Sequence, residues 1–321
     1  EISTRDWSSD VCSSDLSQQR LTFARAGITR PLSLEDYEAH GGMAGLRAAR
    51  AMAPDAIWQQ VLDSGLRGRG GAAFPAGIKW RTVAQAQSAQ KYVVCNADEG
   101  DSGTFADRMV MEGDPFLLIE GMAIAALSVG ASRGYVYVRS EYPRAFKIFG
   151  QAIEVARAAG WLQGFDLQVR MGAGSYVCGE ETAMLESLEG KRGIVRAKPP
   201  VPALVGLFGQ PTVINNVLTY AAVPTILAQG AAFYKNYGMG RSTGTMPFQL
   251  AGNGQDSRLR QRVLGEYRAH LRRSVFAIHV VPAEHLPSVD LFRPRRLRAR
   301  REVRPEIPRL RRLGLQHAVL R

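Results

Sequence analysis

Four short segments of this chain carry residue types that could hold a nucleotide. The first, RGRGGAAFPAGIK at residues 67–79, has Gly68, Gly70, Gly71 and Gly77, with Ala72 among them. Glycine lets a backbone turn sharply and bring its N–H groups against a phosphate. Arg67, Arg69 and Lys79 could supply countercharge, and Phe74 a flat apolar face. The segment is neither a Walker loop nor a clean GxGxxG after a strand. A glycine-rich surface turn with solvated arginines is the plain alternative.

The second segment, NADEGDSGT at residues 96–104, gathers Asn96, Asp98, Glu99 and Asp101. Carboxylates in a nucleotide site accept hydrogen bonds from ribose or ribityl hydroxyls. The alternative is an acidic turn in which Asp98 or Asp101 caps a helix. The third, GAGSYVCGEET at residues 172–182, places Tyr176, Cys178 and Gly179 just before Glu180 and Glu181. Two acids at a helix start complement its positive end, and the cysteine could be a small core residue. Neither reading explains why all of these crowd one turn. The fourth, TVINNV at residues 212–217, carries Ile214, Asn215 and Asn216. An Asn pair can cap a helix or reach a phosphate or a ring edge.

The elements between these segments predict how they are positioned. Residues 91–95 (KYVVC), 135–139 (YVYVR) and 165–171 (FDLQVRM) read as strands. Residues 116–129 read as an apolar helix stopped by Gly130, residues 145–159 as a helix ended by Gly160, and residues 180–188 as a helix opened by its acids. Strands alternating with helices predict an α/β fold with a largely parallel sheet. Ligands of such sheets bind outside the carboxyl ends of the strands, which is where the second segment follows KYVVC.

The chain has 321 residues, 45% of them hydrophobic, enough for a substantial core. Its most apolar run, residues 117–129, contains Glu120 and falls short of the roughly 20 residues that span a bilayer. A soluble cytoplasmic protein without membrane insertion is expected. Cys12, Cys95 and Cys178 form no CxxC pair and no metal-ligand spacing, so no metal is expected. The net charge of +12 is localised: residues 254–321 hold seventeen arginines, no lysine and six acids. Arginine used to the exclusion of lysine, with Arg and Pro repeating without amphipathic order, reads as an out-of-frame, disordered tail. A nucleic-acid-binding arm is the alternative. Residues 1–16 resemble a translated sequencing adapter, with a disordered terminus as the alternative. The folded domain is expected at residues 17–253.

Taken together and in order, the four segments resemble the flavoprotein subunit of NADH dehydrogenases, a family that includes the flavin subunit of complex I, the diaphorase subunit of NAD-linked hydrogenases and the beta subunit of NAD-dependent formate dehydrogenases. The resemblance covers residues 66–253, with a helical lead-in from Leu21. The stretch CNADEGDSGTFADRMVMEGDP looks more like the formate dehydrogenase and hydrogenase branches than complex I, and RSEYP, KPPVPALVGLFGQPT and GMGRSTGTMPFQLAGN look like the formate dehydrogenase beta subunit. The resemblance implies a Rossmann-like FMN-binding domain that passes hydride between NAD(H) and FMN. It implies that Gly68, Arg69, Gly70, Gly71, Ala72 and Gly77 line flavin and NADH, that Phe74 stacks on adenine, and that Lys79 reaches the FMN phosphate region. Asn96 and Asp98 would hold the ribityl chain and Asp101 the NADH ribose, with Glu99 also among the cofactor-binding residues. Tyr176, Gly179, Glu180 and Glu181 would flank the two rings and Asn215 and Asn216 would hold the phosphate end, with Cys178 and Ile214 also among the cofactor-binding residues. Positioning, by Tyr176, Glu180 and Glu181, is the whole catalytic contribution expected, with no acid–base residue. Relatives often carry Phe where this chain has Val201. Full-length relatives continue into ubiquitin-like and iron–sulfur domains, the latter holding a 4Fe–4S cluster with a CxxCxxC region. Those ligands are missing from this sequence, so a truncated copy is expected, its partners being iron–sulfur subunits of such a complex and not nucleic acid.

Overall fold

The computed structural model describes residues 20–250, together with the backbone of residues 258–263 and 277–278. The reading of residues 1–16 and most of that of residues 254–321 lie outside the described residues.

The apolar runs become four strands of one parallel sheet: β1 (Tyr92–Ala97), β2 (Arg133–Val138), β3 (Asp166–Met171) and β4 (Thr212–Asn216). Their order is β3-β2-β1-β4. The chain steps outward from β1 through β2 to β3, then returns to the far side of β1. A sheet whose strand order reverses opens a crevice at that point, outside the carboxyl ends. Here the reversal lies between β1 and β4, whose register pairs Asn96 with Asn216.

Three helices lead into the sheet: α1 (Leu34–Ala39), α2 (Ala44–Arg50) and α3 (Pro54–Asp63). Then come α4 (Ala76–Gln85), α5 (Ala106–Gly113), α6 (Pro115–Val129), α7 (Pro143–Ala158), α8 (Glu181–Leu188), α9 (Val217–Gln229) and α10 (Ala231–Lys235). Helix α6 is apolar on every side and accordingly buried, and Gly130 ends it with φ 72°. Its one acid, Glu120, is satisfied internally. It accepts hydrogen bonds from Tyr37 Oη (2.5 Å) and from the backbone N–H groups of Met43 (2.9 Å) and Leu46 (2.8 Å), tying down the start of α2.

Past α10, β5 (Gly238–Met239) and β6 (Ser242–Thr243) form a hairpin. β7 (Thr245–Leu250) pairs antiparallel with β8 (Arg258–Val263) and β9 (Ala277–Ile278). Among the described residues no helix is long and apolar enough to cross a membrane, and no group of His, Cys, Asp or Glu could hold a metal ion.

Candidate functional site

Two neighbouring cavities, of about 520 and 530 Å³, open at the β1–β4 reversal. Gly70, Asn96, Gly179, Glu180 and Asn216 wall both, so they form one continuous cleft. Ligand sites usually measure about 300–1,000 Å³.

The first cavity is acidic. Asp98, Glu99 and Asp101 reach it from the turn after β1, and Asp107 from the first turn of α5. Asn96 ties this turn to its neighbour, Nδ2 donating to the Gly179 carbonyl at 2.8 Å and Oδ1 accepting from Asp98 N at 3.1 Å. Burial pushes the Asp98 carboxyl up to about 6 against the pull of Arg139, with Glu141 adding to the rise. Burial also raises Glu99, which accepts from the backbone N–H groups of Asp107 and Arg108 and from Tyr142 Oη, all at 3.2 Å. Asp107 is pushed well up, first by complete burial and then by Glu99, while Asn216 Nδ2, donating to its Oδ2 at 2.6 Å, opposes the rise. The same Asn216 caps α9 by accepting from Leu218 N at 2.9 Å.

Tyr176 stands 70% exposed on the rim, its hydroxyl donating to Asp101 Oδ1 at 2.8 Å. Its ring lies on the Gly100 backbone: a Cβ there would meet a ring carbon at 2.7 Å.

The second cavity mixes charge and apolar faces. The glycine loop enters through Gly68, Gly70, Gly71, Ala72 and the half-exposed Phe74. Lys79 Nζ donates to the Ile214 carbonyl at 2.7 Å and faces Glu181 Oε2 at 3.8 Å, and burial lowers its pKa against the pull of Glu181. Glu180 caps α8, one oxygen accepting from Thr182 N (2.8 Å) and Ala183 N (2.9 Å). Partial burial pushes its carboxyl up, yet the bonds from Thr182, Lys198 and Ala183 leave it below the ordinary value. Lys198 Nζ bridges Glu180 Oε1 (2.9 Å) and Glu181 Oε1 (2.8 Å). Asn215 and Val201 complete the wall.

This chain matches the family model described as the Nuo51 FMN-binding domain over residues 61–225, a span that contains the glycine loop, both acidic turns and the Asn pair. The chain belongs to that family.

Relatives of the Nuo51 domain agree in sequence and in shape. The chain is 51% identical over 228 residues to an NADH-quinone oxidoreductase subunit of Rhizobium meliloti (strain 1021), covering 68% of this chain and 54% of that one. It is 45% identical over 269 residues to the NADP-reducing hydrogenase subunit HndC of Solidesulfovibrio fructosivorans, covering 81% and 54%. A crystal structure of an NAD+-reducing [NiFe]-hydrogenase in the air-oxidized state superposes with a TM-score of 0.66 at 37% identity, covering 76% of this chain and 41% of that one. The chain thus spans about half the length of the curated relatives it matches.

Within this Nuo51-type cleft, eighteen of the twenty residues expected from the sequence line the walls. Gly77 and Cys178 do not, and Arg69 lines the wall while bonded away from the cleft. Gly77 belongs to the first turn of α4, not to the loop, and packs on the backbone of Leu62, where a Cβ would meet backbone atoms at 2.5 Å. Cys178 is 2% exposed and faces the Ala183 carbonyl, so it is core. Arg69 forms part of the first cavity's wall but is 5% exposed, and its Nη2 is spent on Tyr234 and Thr243. Asp107, Lys198 and Gly100 escaped sequence reasoning. An acid in a first helical turn reads as a dipole partner, a lysine before two prolines as loop, and a glycine between acids as a turn.

Proposed function

We propose that this chain binds FMN and NAD(H) in the cleft at the β1–β4 reversal and serves as the module that passes hydride between them. The observation that carries this reading is convergence: the glycine loop, the acidic turn after β1, the capped Glu180 and the Asn pair enter one continuous cleft. The residues fit a flavin nucleotide. At Gly70 a Cβ would stand 2.9 Å from Asn216 Cβ, so only a glycine leaves this wall thin. Lys79 and Asn215 offer donors for an anionic end, and Asp98 and Glu99 offer acceptors for hydroxyls.

When bound, FMN supplies a ring that takes hydride from a two-electron donor and returns electrons singly. The protein's own part is binding and alignment. Tyr176 and Phe74 present exposed aromatic faces for stacking. Asp101, bonded to Tyr176 Oη, holds that ring's edge and offers its second oxygen to a ribose. Glu180 and Glu181, fixed by Lys198 and by the start of α8, line the place where two rings would meet. Holding reacting rings in register is worth several kcal/mol of barrier, roughly 7–11 in well-oriented systems. No side chain has to transfer a proton for hydride to pass.

The parent complex proposed is an NAD-dependent formate dehydrogenase, supported by the stretches RSEYP and KPPVPALVGLFGQPT. The matched relatives support a second reading, an NADH-quinone oxidoreductase or a hydrogenase. In either case iron–sulfur subunits receive or deliver the electrons. A gene for a molybdenum-dependent catalytic subunit beside this one favours the first; quinone-reductase or hydrogenase genes there sink it.

The module itself is tested by loading the full chain with FMN and adding NADH without oxygen. The visible flavin band should bleach. Bound flavin that stays yellow would place the fault in the NADH half of the cleft, and a chain that takes up no FMN would overturn the reading.

A further inference from the structure

Arg69 lies in the glycine loop, yet little of it is open to solvent. It is 5% exposed. Its backbone N–H donates to Thr219 Oγ1 at 2.9 Å, on α9. Its Nη2 donates to Tyr234 Oη at 3.0 Å and to the Thr243 carbonyl at 2.6 Å. All three acceptors are neutral, and among the described residues Arg69 makes no ion pair. A buried cation without a carboxylate partner is costly, so its retention calls for a reason.

The partners show what it joins. Tyr234 sits on α10 and Thr243 on β6, and neither walls the cleft. Both are seated on the core. Gly244 leaves room for the Tyr234 ring, since a Cβ there would meet it at 2.1 Å. Thr243 Oγ1 donates to the Ser64 carbonyl at 3.0 Å, just ahead of the loop. The loop's base is closed by Gly68 N donating to the Phe74 carbonyl and Ala76 N donating to the Leu66 carbonyl, both at 2.9 Å, while its tip is open: nothing lies within 4 Å of a Cβ built on Gly71, whose φ is 141°. A loop held in its binding shape beforehand loses less entropy when a ligand arrives.

We propose that Arg69 is a positioning residue: it fastens the glycine loop to the segment carrying Tyr234 and Thr243, and through that tether keeps the loop ready for FMN. The second half of this statement rests on the function proposed above; the tether does not. Lysine cannot replace the arginine, because its nitrogen stands one bond nearer the backbone than Nη2, the atom that makes both bonds.

The test uses the full chain, with FMN affinity read by flavin fluorescence and amide hydrogen exchange of residues 67–71 read without FMN. Tyr234→Phe and Arg69→Lys should each weaken FMN binding about tenfold, near the cost of one hydrogen bond to a charged group. The double variant should be no weaker than the worse single one, since both cut one tether. Exchange at residues 67–71 should quicken in all three. If Arg69→Lys fails to fold, Tyr234→Phe, which loses a single hydroxyl, still decides. Unchanged affinity and exchange in Tyr234→Phe, with binding lost in Arg69→Lys, would make Arg69 a direct ligand and overturn the proposal. A lowered unfolding temperature with unchanged affinity and exchange would reduce it to general stability and overturn it as well. If the parent chain takes up no FMN, the proposed function fails, and the exchange data alone uphold or reject the tether.

Discussion

Asp98 shows what a carboxylate gives up to stand in this cleft. Burial raises it from an ordinary 3.8 to about 6. The folded protein therefore holds this proton more tightly than the unfolded chain does. The native state loses stability as pH climbs from about 4 to 6 and recovers none above that. Replacing Asp98 with Asn removes that penalty, so the ligand-free variant should melt higher than the parent at pH 7. It should also bind FMN about tenfold more weakly, having lost a charged acceptor. In the parent, affinity should fall more steeply than in the variant as pH drops through 6, because the acceptor becomes a neutral acid. Flavin titrations from pH 5 to 8 with paired melting curves check both halves; a parent profile as flat as the variant's would remove Asp98 from the ligand's contacts. The residue types at this site were legible because four clusters of unusual residues stand in one order along the chain. Which side of the backbone each one faces was not. Arg69 and Cys178 lie inside their motifs, yet tertiary packing turns the first onto Tyr234 and the second into the core. Asp107 reaches the cleft only because α5 starts there.

Elements were the easier scale to read. β1 and β2 are short, largely buried apolar runs, and β3, largely open at the sheet's edge, falls where FDLQVRM reads as a strand. Helix α6 could be read because it is apolar on all sides and stops at a glycine. The boundary that mattered was less visible: Pro75 precedes a helix starting at Ala76, which takes Gly77 out of the loop. Close approach between helices was invisible too. Gly121 on α6 faces the Tyr220 carbonyl on α9, where a Cβ would stand 2.1 Å from the oxygen. Backbone atoms cannot yield as a flexible side chain does, so Gly121→Ala should cost roughly 2–3 kcal/mol by overpacking. Helix α9 starts at its cap, Asn216, so pushing it aside should also loosen the FMN site. Gly113→Ala is the control, since its Cβ would meet only the Ala26 methyl at 4.0 Å. Denaturant unfolding of the two variants should separate them clearly; equal midpoints would mean that α6 and α9 part without loss.

For the whole molecule, the strand order decides where a ligand can sit, and charge decides little. Nearly all of the +12 belongs to the arginine-rich residues 254–321, leaving the sequence before them close to neutral. Affinity for an anionic nucleotide must then come from local donors: the glycine loop, Lys79 and the Asn pair. A ligand that binds only the folded state stabilises it by RT ln(1 + [L]/Kd), about 2.7 kcal/mol at a hundredfold excess over Kd. For a domain of this size that is a rise of roughly 5–10 °C in melting temperature. FMN should produce it, and riboflavin at the same concentration should produce much less, because the loop and Lys79 lose the phosphate they are placed to hold. The residual riboflavin shift measures what Tyr176, Asp98 and Glu99 contribute by themselves. Raising the salt should trim the FMN shift only modestly, since the donors lie inside a cleft where screening is weak. Equal shifts for the two flavins would detach the glycine loop from phosphate binding, and a shift abolished by moderate salt would move the binding site to the arginine-rich residues and away from the β1–β4 reversal.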